Sequence, residues 1–301
     1  MTLPVRRMLT PPSRGAVGRA MGPRLADATL TSPITAHARE RLEFVPRPPP
    51  PTLMTIDNDD DIAALKRIGR IVAQTLRVMQ DAAEPGMTTA ELDAVGARCF
   101  ASHGARSAPQ LTYQFPGATC ISINEEVAHG IPGTRRIQAG DLVNIDVSAE
   151  LDGYFADSGG SFIVDPESRV LRRLCDATRA ALDAAIAVAS AGRSYNVIGE
   201  AISSTAKRAG FTVIRNLCSH GVGRGLHEDP EFILPYAHAG EHRRLQEGQV
   251  ITIEPFLSTR ADSVTEAGDG WTLRAPRGNR AAQYEHTMVI TRGAPIITTV
   301  E

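Results

Sequence analysis

The sequence predicts an α+β domain in which helices and antiparallel strands are repeated about a pseudo-twofold axis. Two observations carry this prediction. A plan of helix, helix, strand and strand occurs twice along the chain, and the interval from Gly86 to Gly104 equals the interval from Gly192 to Gly210. In addition, short motifs of the first copy recur at corresponding places in the second. A repeat of this length suggests two halves whose sheets meet at a central seam.

The composition disfavours two broad classes of function. The chain has 301 residues, 42% hydrophobic content and a formal net charge of -2. The chain is therefore long enough to bury a full core. Its small negative net charge would not attract nucleic acid or an anionic membrane. Its apolar runs fall short of the roughly 20 residues that a membrane-spanning helix needs. The four cysteines form no CxxC pair, which favours reduced thiols in a cytoplasmic protein. We expect a soluble monomer with no specificity for nucleic acid and no membrane association.

Residues 1–53 form a separate predicted segment. Arginines outnumber acidic residues there and no helical periodicity is present, which predicts a disordered Arg/Pro-rich extension. It ends in the run 46–51, which favours polyproline II and serves either as a stiff linker or as a ligand for a partner such as the ribosome. Residues 1–24 lack acids, as organellar transit peptides do. However, the chain uses Arg in place of Lys almost throughout, so a cytoplasmic location is favoured. Met54 offers a second start, and residues 54–301 are predicted to form one folded domain.

Four helices are predicted from periodicity and end signals. Apolar residues at spacings of three and four run from Asp57 until Pro85-Gly86 stops them. The segment Thr88–Glu91 has capping-box spacing and opens a second helix that ends near Gly104. In the second copy, a helix is predicted from about Glu167 to Ala189. A further helix follows, capped by Ser194 and ending at Gly210.

The strands carry the repeated motifs. His129-Gly130-Ile131 is echoed by His220-Gly221-Val222, and the segment 140–146 is echoed by the segment 248–254. In both of these longer segments an acid, Asp146 or Glu254, lies six residues after a glycine. A site at the seam would therefore draw acids from both halves.

A predicted hairpin places two of the acids on one face. If Asp152-Gly153 forms a tight turn, Ser148 pairs with Asp157. Because side chains alternate along a strand and paired residues share a face, Asp146, Ser148 and Asp157 then point the same way. Two carboxylates on an apolar hairpin repel each other unless a cation lies between them. The alternative is a pair of strand-edge acids that reach solvent.

Three more residues extend this set. Glu254 ends an apolar strand, Glu285 precedes another, and His220 lies in a glycine-rich stretch. Four carboxylates and one imidazole, without a thiolate, suit Mn, Fe(II), Co or, less well, Zn. Four carboxylates are too many for one ion, so two divalent ions that hold a hydroxide between them are predicted, as in two-metal hydrolysis. The predicted fold class is therefore a pseudo-twofold α+β domain around a central dimetal site.

Five motifs resemble those of the type I methionine aminopeptidases. In order they are His129-Gly130-Ile131-Pro132, Asn144-Ile145-Asp146-Val147, His220-Gly221-Val222-Gly223-Arg224, Thr252-Ile253-Glu254-Pro255 and Gln283-Tyr284-Glu285-His286-Thr287. The match covers residues 54 to about 299. The resemblance implies the pita-bread α/β fold for a catalytic domain at 54–301. It also implies removal of the initiator methionine from nascent polypeptides. The proline-rich extension resembles that of a bacterial subgroup.

The resemblance also implies roles for individual residues. Asp146, Asp157, His220, Glu254 and Glu285 would be the metal ligands. Asp157 and Glu285 would bridge the ions, His220 and Glu254 would bind one ion, and Asp146 would bind the other. Glu254 would also shuttle the proton, while His129 and His227 would flank the scissile bond and steady the amide and the oxyanion.

A methionine pocket is implied in the same way. Its members would be Tyr113, Phe115, Cys120, Leu226 and Trp271. An apolar pocket that tolerates sulfur suits a thioether side chain. Thr112 and Ser219 depart from the family, which often has an aromatic residue and a glycine there. The family leads us to expect small penultimate residues such as Gly, Ala, Ser or Thr.

Three other interpretations remain. An Xaa-Pro dipeptidase or aminopeptidase of the same fold would use the same five ligands, although such enzymes usually carry a folded N-terminal domain. A non-catalytic pita-bread binding protein would normally have lost ligands. A type II methionine aminopeptidase is disfavoured because no long helical insertion separates His220 from Glu254.

Overall fold

The structure is a computed structural model that describes residue 56 and residues 58–300. The predicted extension at residues 1–53 lies outside the described residues. None of the described helices is both long and apolar enough to cross a membrane. The helices in this part of the chain are α1 (Asp59–Ala82), α2 (Thr89–Ser102), α3 (Ala108–Tyr113), α4 (Arg169–Val188) and α5 (Asn196–Ala209).

The strands are short except for one long hairpin. Over the described residues they are β1 (Arg106–Ser107), β2 (Cys120–Ile123), β3 (Glu126–Ala128), β4 (Leu142–Leu151), β5 (Tyr154–Ile163), β6 (Thr212–Val213), β7 (Ser219–Gly221), β8 (Glu228–Ile233), β9 (Val250–Ile253), β10 (Phe256–Ser258), β11 (Thr265–Glu266), β12 (Leu273–Arg274), β13 (Ala281–Gln283), β14 (His286–Val289) and β15 (Ile296–Ile297).

Each half has its own antiparallel sheet and its own core. The first sheet has the order β1-β4-β2, with β5 paired to β4, and the second has the order β15-β14-β9-β7-β8. Helices α1 and α2 bury Ile68 and Leu92 with Ile145 of the first sheet. Helices α4 and α5 bury Leu174 and Ile202 with strand β9 of the second. Two smaller sheets have the orders β13-β10-β6 and β11-β12-β3. The predicted α+β class, with a helix pair for each half, is confirmed.

The helix ends follow local hydrogen bonding, with one correction. The predicted capping box is present: Thr88 Oγ1 accepts from the Glu91 N–H, and the Glu91 carboxylate accepts from the Thr88 N–H. A second capping box at Asn58 starts α1 at Asp59, two residues after the predicted start. The predicted Ser194 cap is wrong by one residue, because Tyr195 is the N-cap of α5 and makes no side-chain cap. Ser194 Oγ instead accepts from the Asn196 N–H in a local turn.

The predicted hairpin register is confirmed. Ser148 is paired with Asp157, and Asp146 is paired with Gly159. Asp152 and Gly153 have φ values of 53° and 81°, as expected for a two-residue hairpin turn with positive φ at both positions. Because the register is set by this turn, the two acids lie on the same face of the β4–β5 hairpin.

The two halves are joined where β5 runs beside the β13–β14 segment. The Asp157 N–H donates to Thr287 Oγ1 at 2.9 Å, and Thr287 Oγ1 donates to the Asp157 carbonyl at 2.8 Å. Two residues away along each segment, the Glu285 N–H donates to the Gly159 carbonyl at 3.0 Å. These bonds bring Asp157 of the first half next to Glu285 of the second.

Candidate active site

The acids and the histidine singled out from the sequence lie together at the seam. Ligand atoms of Asp157, His220 and Glu285 all lie within 4.8 Å of one another, and all three residues are buried. His220 Nε2 also lies 3.5 Å from Glu254 Oε1. Asp146 lines the same cavity as Asp157, His220 and Glu254. The five predicted ligands therefore form one cluster.

The backbone explains why they converge. Asp146 and Asp157 come from the β4–β5 hairpin, and His220 is the middle residue of β7. Glu254 follows β9 and Glu285 precedes β14. Since Ile253 is paired with His286, the two glutamates emerge at the same end of two neighbouring strands. Each half therefore supplies carboxylates to the seam, as the internal repeat predicts.

Burial and mutual repulsion favour the uncharged form of every carboxyl group in the cluster. Burial raises the pKa of Asp146 from its ordinary value of 3.8 to about 6. Burial, together with the charges of Glu285 and Asp146, raises the pKa of Asp157 well above its ordinary value. The pKa values of Glu254 and Glu285 are also raised well above the usual range, by burial first and then by the neighbouring acids. Four carboxylates ionised together at this site need compensating positive charge.

The donor set fits divalent metal ions. Asp157 Oδ1 and Glu285 Oε1 are buried oxygens without a hydrogen-bond partner in the described part of the chain, although such atoms are normally satisfied. Burial lowers the pKa of His220 to about 3, so its imidazole is neutral at physiological pH and has a lone pair for a metal. Several carboxylate oxygens with one neutral nitrogen suit hard or borderline divalent cations.

His129 and His227 lie at the same cavity. His129 adopts a left-handed backbone conformation with φ 55°, which is uncommon for a residue other than glycine and is often found at functional sites. The His227 ring packs against the His220 ring, with 4.1 Å between centroids and 36° between planes. Burial lowers the pKa of His129 to about 4, and burial together with His220 lowers the pKa of His227 further. Both imidazoles are therefore neutral.

The glycine that follows each histidine of the repeated motif is required by close packing. A Cβ on Gly130 would lie 2.1 Å from the Ile121 carbonyl oxygen, and a Cβ on Gly221 would lie 2.4 Å from the Asp229 carbonyl oxygen. No side chain fits at either position without moving the backbone of a neighbouring strand. Glycine is thus required after the histidine in both halves for the same reason: a side chain would collide with the backbone of a neighbouring strand.

The predicted methionine-pocket residues all line this cavity, which encloses about 490 Å³ including its open mouth. Phe115 and Trp271 meet edge to face, with 5.1 Å between ring centroids and 84° between ring planes. Phe115, Cys120 and Leu226 are buried, and Cys120 is paired with Asp146 across β2 and β4. Predicted metal ligands and predicted pocket residues therefore line the same cavity.

Several residues differ from the sequence interpretation. Pro109 and Ser148 also line the cavity. Ser148 was predicted to share the face of Asp146, but Pro109, at the start of α3, was not singled out from the sequence. Thr112, one of the two departures from the family, is exposed and does not line the cavity. The other departure, Ser219, is buried, and its Oγ accepts a hydrogen bond from the Glu254 N–H at 3.0 Å.

The sequence profile of metallopeptidase family M24 matches residues 63–292. The chain belongs to metallopeptidase family M24. It is 48% identical over 247 residues to methionine aminopeptidase 2 of Bacillus subtilis, a match that covers 82% of this chain and 99% of the relative. Among solved structures, the methionine aminopeptidase of Thermotoga maritima superposes with a TM-score of 0.78 at 34% identity, covering 82% of this chain and 99% of that one.

A more distant likeness concerns the fold only. The prolidase of Pyrococcus furiosus superposes with a TM-score of 0.65 at 22% identity, and the match covers 83% of this chain but 66% of the prolidase. Together these similarities confirm the pita-bread fold and the resemblance to the methionine aminopeptidases. They also confirm that this member of family M24 is a metal-dependent peptidase whose cofactors are divalent metal ions.

Proposed function

We propose that this metallopeptidase is a methionyl aminopeptidase that removes the initiator methionine from nascent polypeptides. The observation that carries the proposal is one cavity that is lined both by a buried cluster of carboxylates with a neutral imidazole and by apolar side chains. The cluster suits metal-assisted hydrolysis. The apolar lining, which includes Phe115, Cys120 and Trp271, suits an unbranched thioether side chain.

Five residues would hold two divalent ions. Asp157 and Glu285 would be shared, His220 and Glu254 would bind one ion, and Asp146 would bind the other. This division agrees with the central place of Asp157, whose Oδ2 lies 4.0 Å from His220 Nε2, and with the unpartnered oxygens of Asp157 and Glu285. When bound, the ions supply Lewis-acid polarisation of the scissile carbonyl and activation of water. Co, Mn, Fe(II) and Zn all suit this donor set.

Protein groups would carry the proton and the developing charge. Glu254, placed beside His220, would take a proton from the attacking water and deliver it to the leaving amine. His129 and His227 are neutral and line the cavity next to the cluster. Each can therefore donate one N–H, one to the substrate amide and the other to the oxyanion.

The physiological substrates would be the N-termini of new proteins whose second residue is small. Tyr113, Phe115, Cys120, Leu226 and Trp271 would enclose the methionine side chain. We further propose that the enzyme is a cytoplasmic monomer and that residues 1–53 are dispensable for catalysis, with ribosome association as their candidate role. A fragment of residues 54–301 should stay soluble and release methionine from short peptides at the full-length rate. Loss of soluble protein on this truncation would contradict the proposed domain boundary.

The test is peptide cleavage by metal-stripped enzyme that is reloaded separately with Mn, Fe(II), Co or Zn. Methionine release from Met-Ala-Ser should depend on metal, and a Gly-Pro peptide should stay intact. Cleavage of only the proline peptide would assign the protein to the Xaa-Pro peptidases, which share the fold. Failure to cleave either peptide with any metal would favour a non-catalytic binding protein.

A further inference from the structure

One contact at the active-site cavity joins two residues that lie far apart in the sequence. The Tyr113 hydroxyl lies 2.6 Å from His227 Nδ1, with the rings tilted by 52° and their centroids 5.5 Å apart. Tyr113 is the last residue of α3, and His227 immediately precedes β8. On its other side His227 packs against the His220 ring. The imidazole is therefore held between a phenol and a predicted metal ligand.

The length of the contact indicates its direction. A separation of 2.6 Å lies in the range of O–H donors and is short for a hydrogen bond donated by a ring N–H. The phenol of tyrosine, whose pKa is ordinarily about 10, keeps its proton at physiological pH. If the hydroxyl donates, Nδ1 accepts, and the single proton of a neutral imidazole must then lie on Nε2.

We propose that Tyr113 is a positioning residue that fixes the Nε2–H tautomer and the ring angle of His227. His227 then has its N–H on the edge turned away from Tyr113, ready to donate to the oxyanion or amide of the substrate. The inference rests on the proposed function and changes the role expected for Tyr113, from a wall of the methionine pocket to an orienting hydrogen-bond donor. A wrong histidine tautomer impairs catalysis even where the geometry of the site is intact.

Two variants separate the two roles of Tyr113. Tyr113→Phe keeps the ring and its apolar surface but removes the hydroxyl, whereas Tyr113→Leu removes both. If Tyr113 orients His227, Tyr113→Phe lowers kcat by about 10- to 100-fold, a range typical for loss of an orienting partner. The KM for a methionyl peptide and the metal content stay within about twofold. If Tyr113 only lines the methionine pocket, Tyr113→Phe behaves as wild type and Tyr113→Leu raises the KM for the methionyl peptide.

The direct readout is the tautomer of His227. Long-range 15N NMR of histidine-labelled, zinc-loaded enzyme, assigned with His227→Asn, should show Nε2 protonated in the wild type and a mixture of tautomers in Tyr113→Phe. A wild-type spectrum with the proton on Nδ1, or an unchanged kcat in Tyr113→Phe, would overturn the proposal. The wild-type spectrum needs no Tyr113 variant and decides the point even if Tyr113→Phe fails to fold. A wild-type enzyme that releases no methionine would refute the proposed function, while the spectrum would still report the contact.

Discussion

Arg224 and Asp61 are joined across the two halves of the fold. Arg224 Nη2 lies 2.7 Å from Asp61 Oδ1, and the guanidinium stacks over the Tyr154 ring with its carbon 3.7 Å from the centroid. Tyr154 also donates its hydroxyl proton to Asp61. The Asp61 side chain is 5% exposed and the Arg224 side chain is 47% exposed. Arg224 belongs to the loop that carries Leu226 and His227, so the ion pair ties this loop to α1 and the β4–β5 hairpin.

Arg224→Met should destabilise the protein and slow catalysis. The substitution removes the guanidinium that pairs with the buried Asp61 carboxylate, and partial exposure of Arg224 limits the cost to about 1–2 kcal/mol in the free energy of unfolding. Loosening of the loop should lower kcat, because His227 loses its anchor. Urea unfolding and peptide turnover measure the two effects. Arg106→Met is the matched control: it breaks a salt bridge to Glu150, which is as buried as Asp61, but its arginine side chain is 63% exposed. It should destabilise the protein less, because solvent screens the more exposed cation, and should leave kcat unchanged.

Ser219→Ala should affect Glu254 through the backbone. Ser219 Oγ accepts the Glu254 N–H at 3.0 Å inside the protein, and alanine leaves this N–H without a partner at a cost of about 1–2 kcal/mol. We expect a matching loss of unfolding free energy and a lower kcat with unchanged KM. The exposed Ser102, whose hydroxyl donates to the Cys99 carbonyl, provides the control Ser102→Ala. Equal effects of the two substitutions would show that Ser219 has no special role.

The parts of the fold that depend on local rules could be predicted from the sequence. The Asp152-Gly153 turn determines the register of the β4–β5 hairpin, and period-2 alternation then places Asp146 and Asp157 on one face. The capping box at Thr88 is equally local. Convergence of His220 and Glu254 with the first half could be predicted because the internal repeat relates the halves, whereas Glu285 was singled out only as an acid before an apolar strand. Family resemblance then supplied the roles.

Contacts between distant segments could not be predicted in the same way. Tyr113 and His227 are separated by 114 positions, and Arg224 and Asp61 by 163. No periodicity or motif links these side chains, because their meeting depends on how the two halves pack at the seam. The N-cap of α5 was misplaced for a related reason. Ser194 has the right side chain for a cap, but its backbone forms an isolated antiparallel bridge with Arg244, and its carbonyl accepts the Val197 N–H in the turn that leads into α5.

Metal should stabilise the folded enzyme more strongly as the pH rises. A carboxyl group with a higher pKa in the folded state binds more protons there than in the unfolded chain between the two pKa values. The contribution of these carboxyl groups to the unfolding free energy of metal-free protein therefore falls as the pH rises through this window, which for Asp146 runs from 3.8 to about 6. Metal binding requires the ionised form and removes the penalty. His220 is already neutral in this window, because its pKa is lowered to about 3.

The measurement is the Tm of stripped and Mn-loaded enzyme at a series of pH values from about 5 to about 7.5. We expect the Tm difference between the two forms to widen steadily with pH. Asp146→Asn removes one of the titrating carboxyl groups, so the Tm of the stripped variant should fall less, or rise more, with pH than that of stripped wild type. A Tm difference that stays constant across the series would contradict a carboxylate-lined metal site.

Asp157→Asn should make the metal-free protein more stable while it abolishes activity. Asp157 is buried among other acids, and its pKa is raised by burial and by the charges of Glu285 and Asp146. An amide of nearly the same shape removes that repulsion, so the unfolding free energy of the stripped variant should exceed that of stripped wild type by about 1 kcal/mol or more. The same change removes a ligand proposed to serve both ions, so metal content and methionine release should fall to background.

Asp152→Asn on the same hairpin is the control, because Asp152 is exposed and asparagine is also favoured at this turn. It should match wild type in stability, metal content and turnover. In Asp157→Asn the unfolding free energy of the metal-free protein should rise while methionine release is lost. This combination distinguishes a functional carboxylate from a structural one. An acid retained for folding would lose stability when neutralised, whereas an acid retained for binding metal stabilises the fold only once the metal is present.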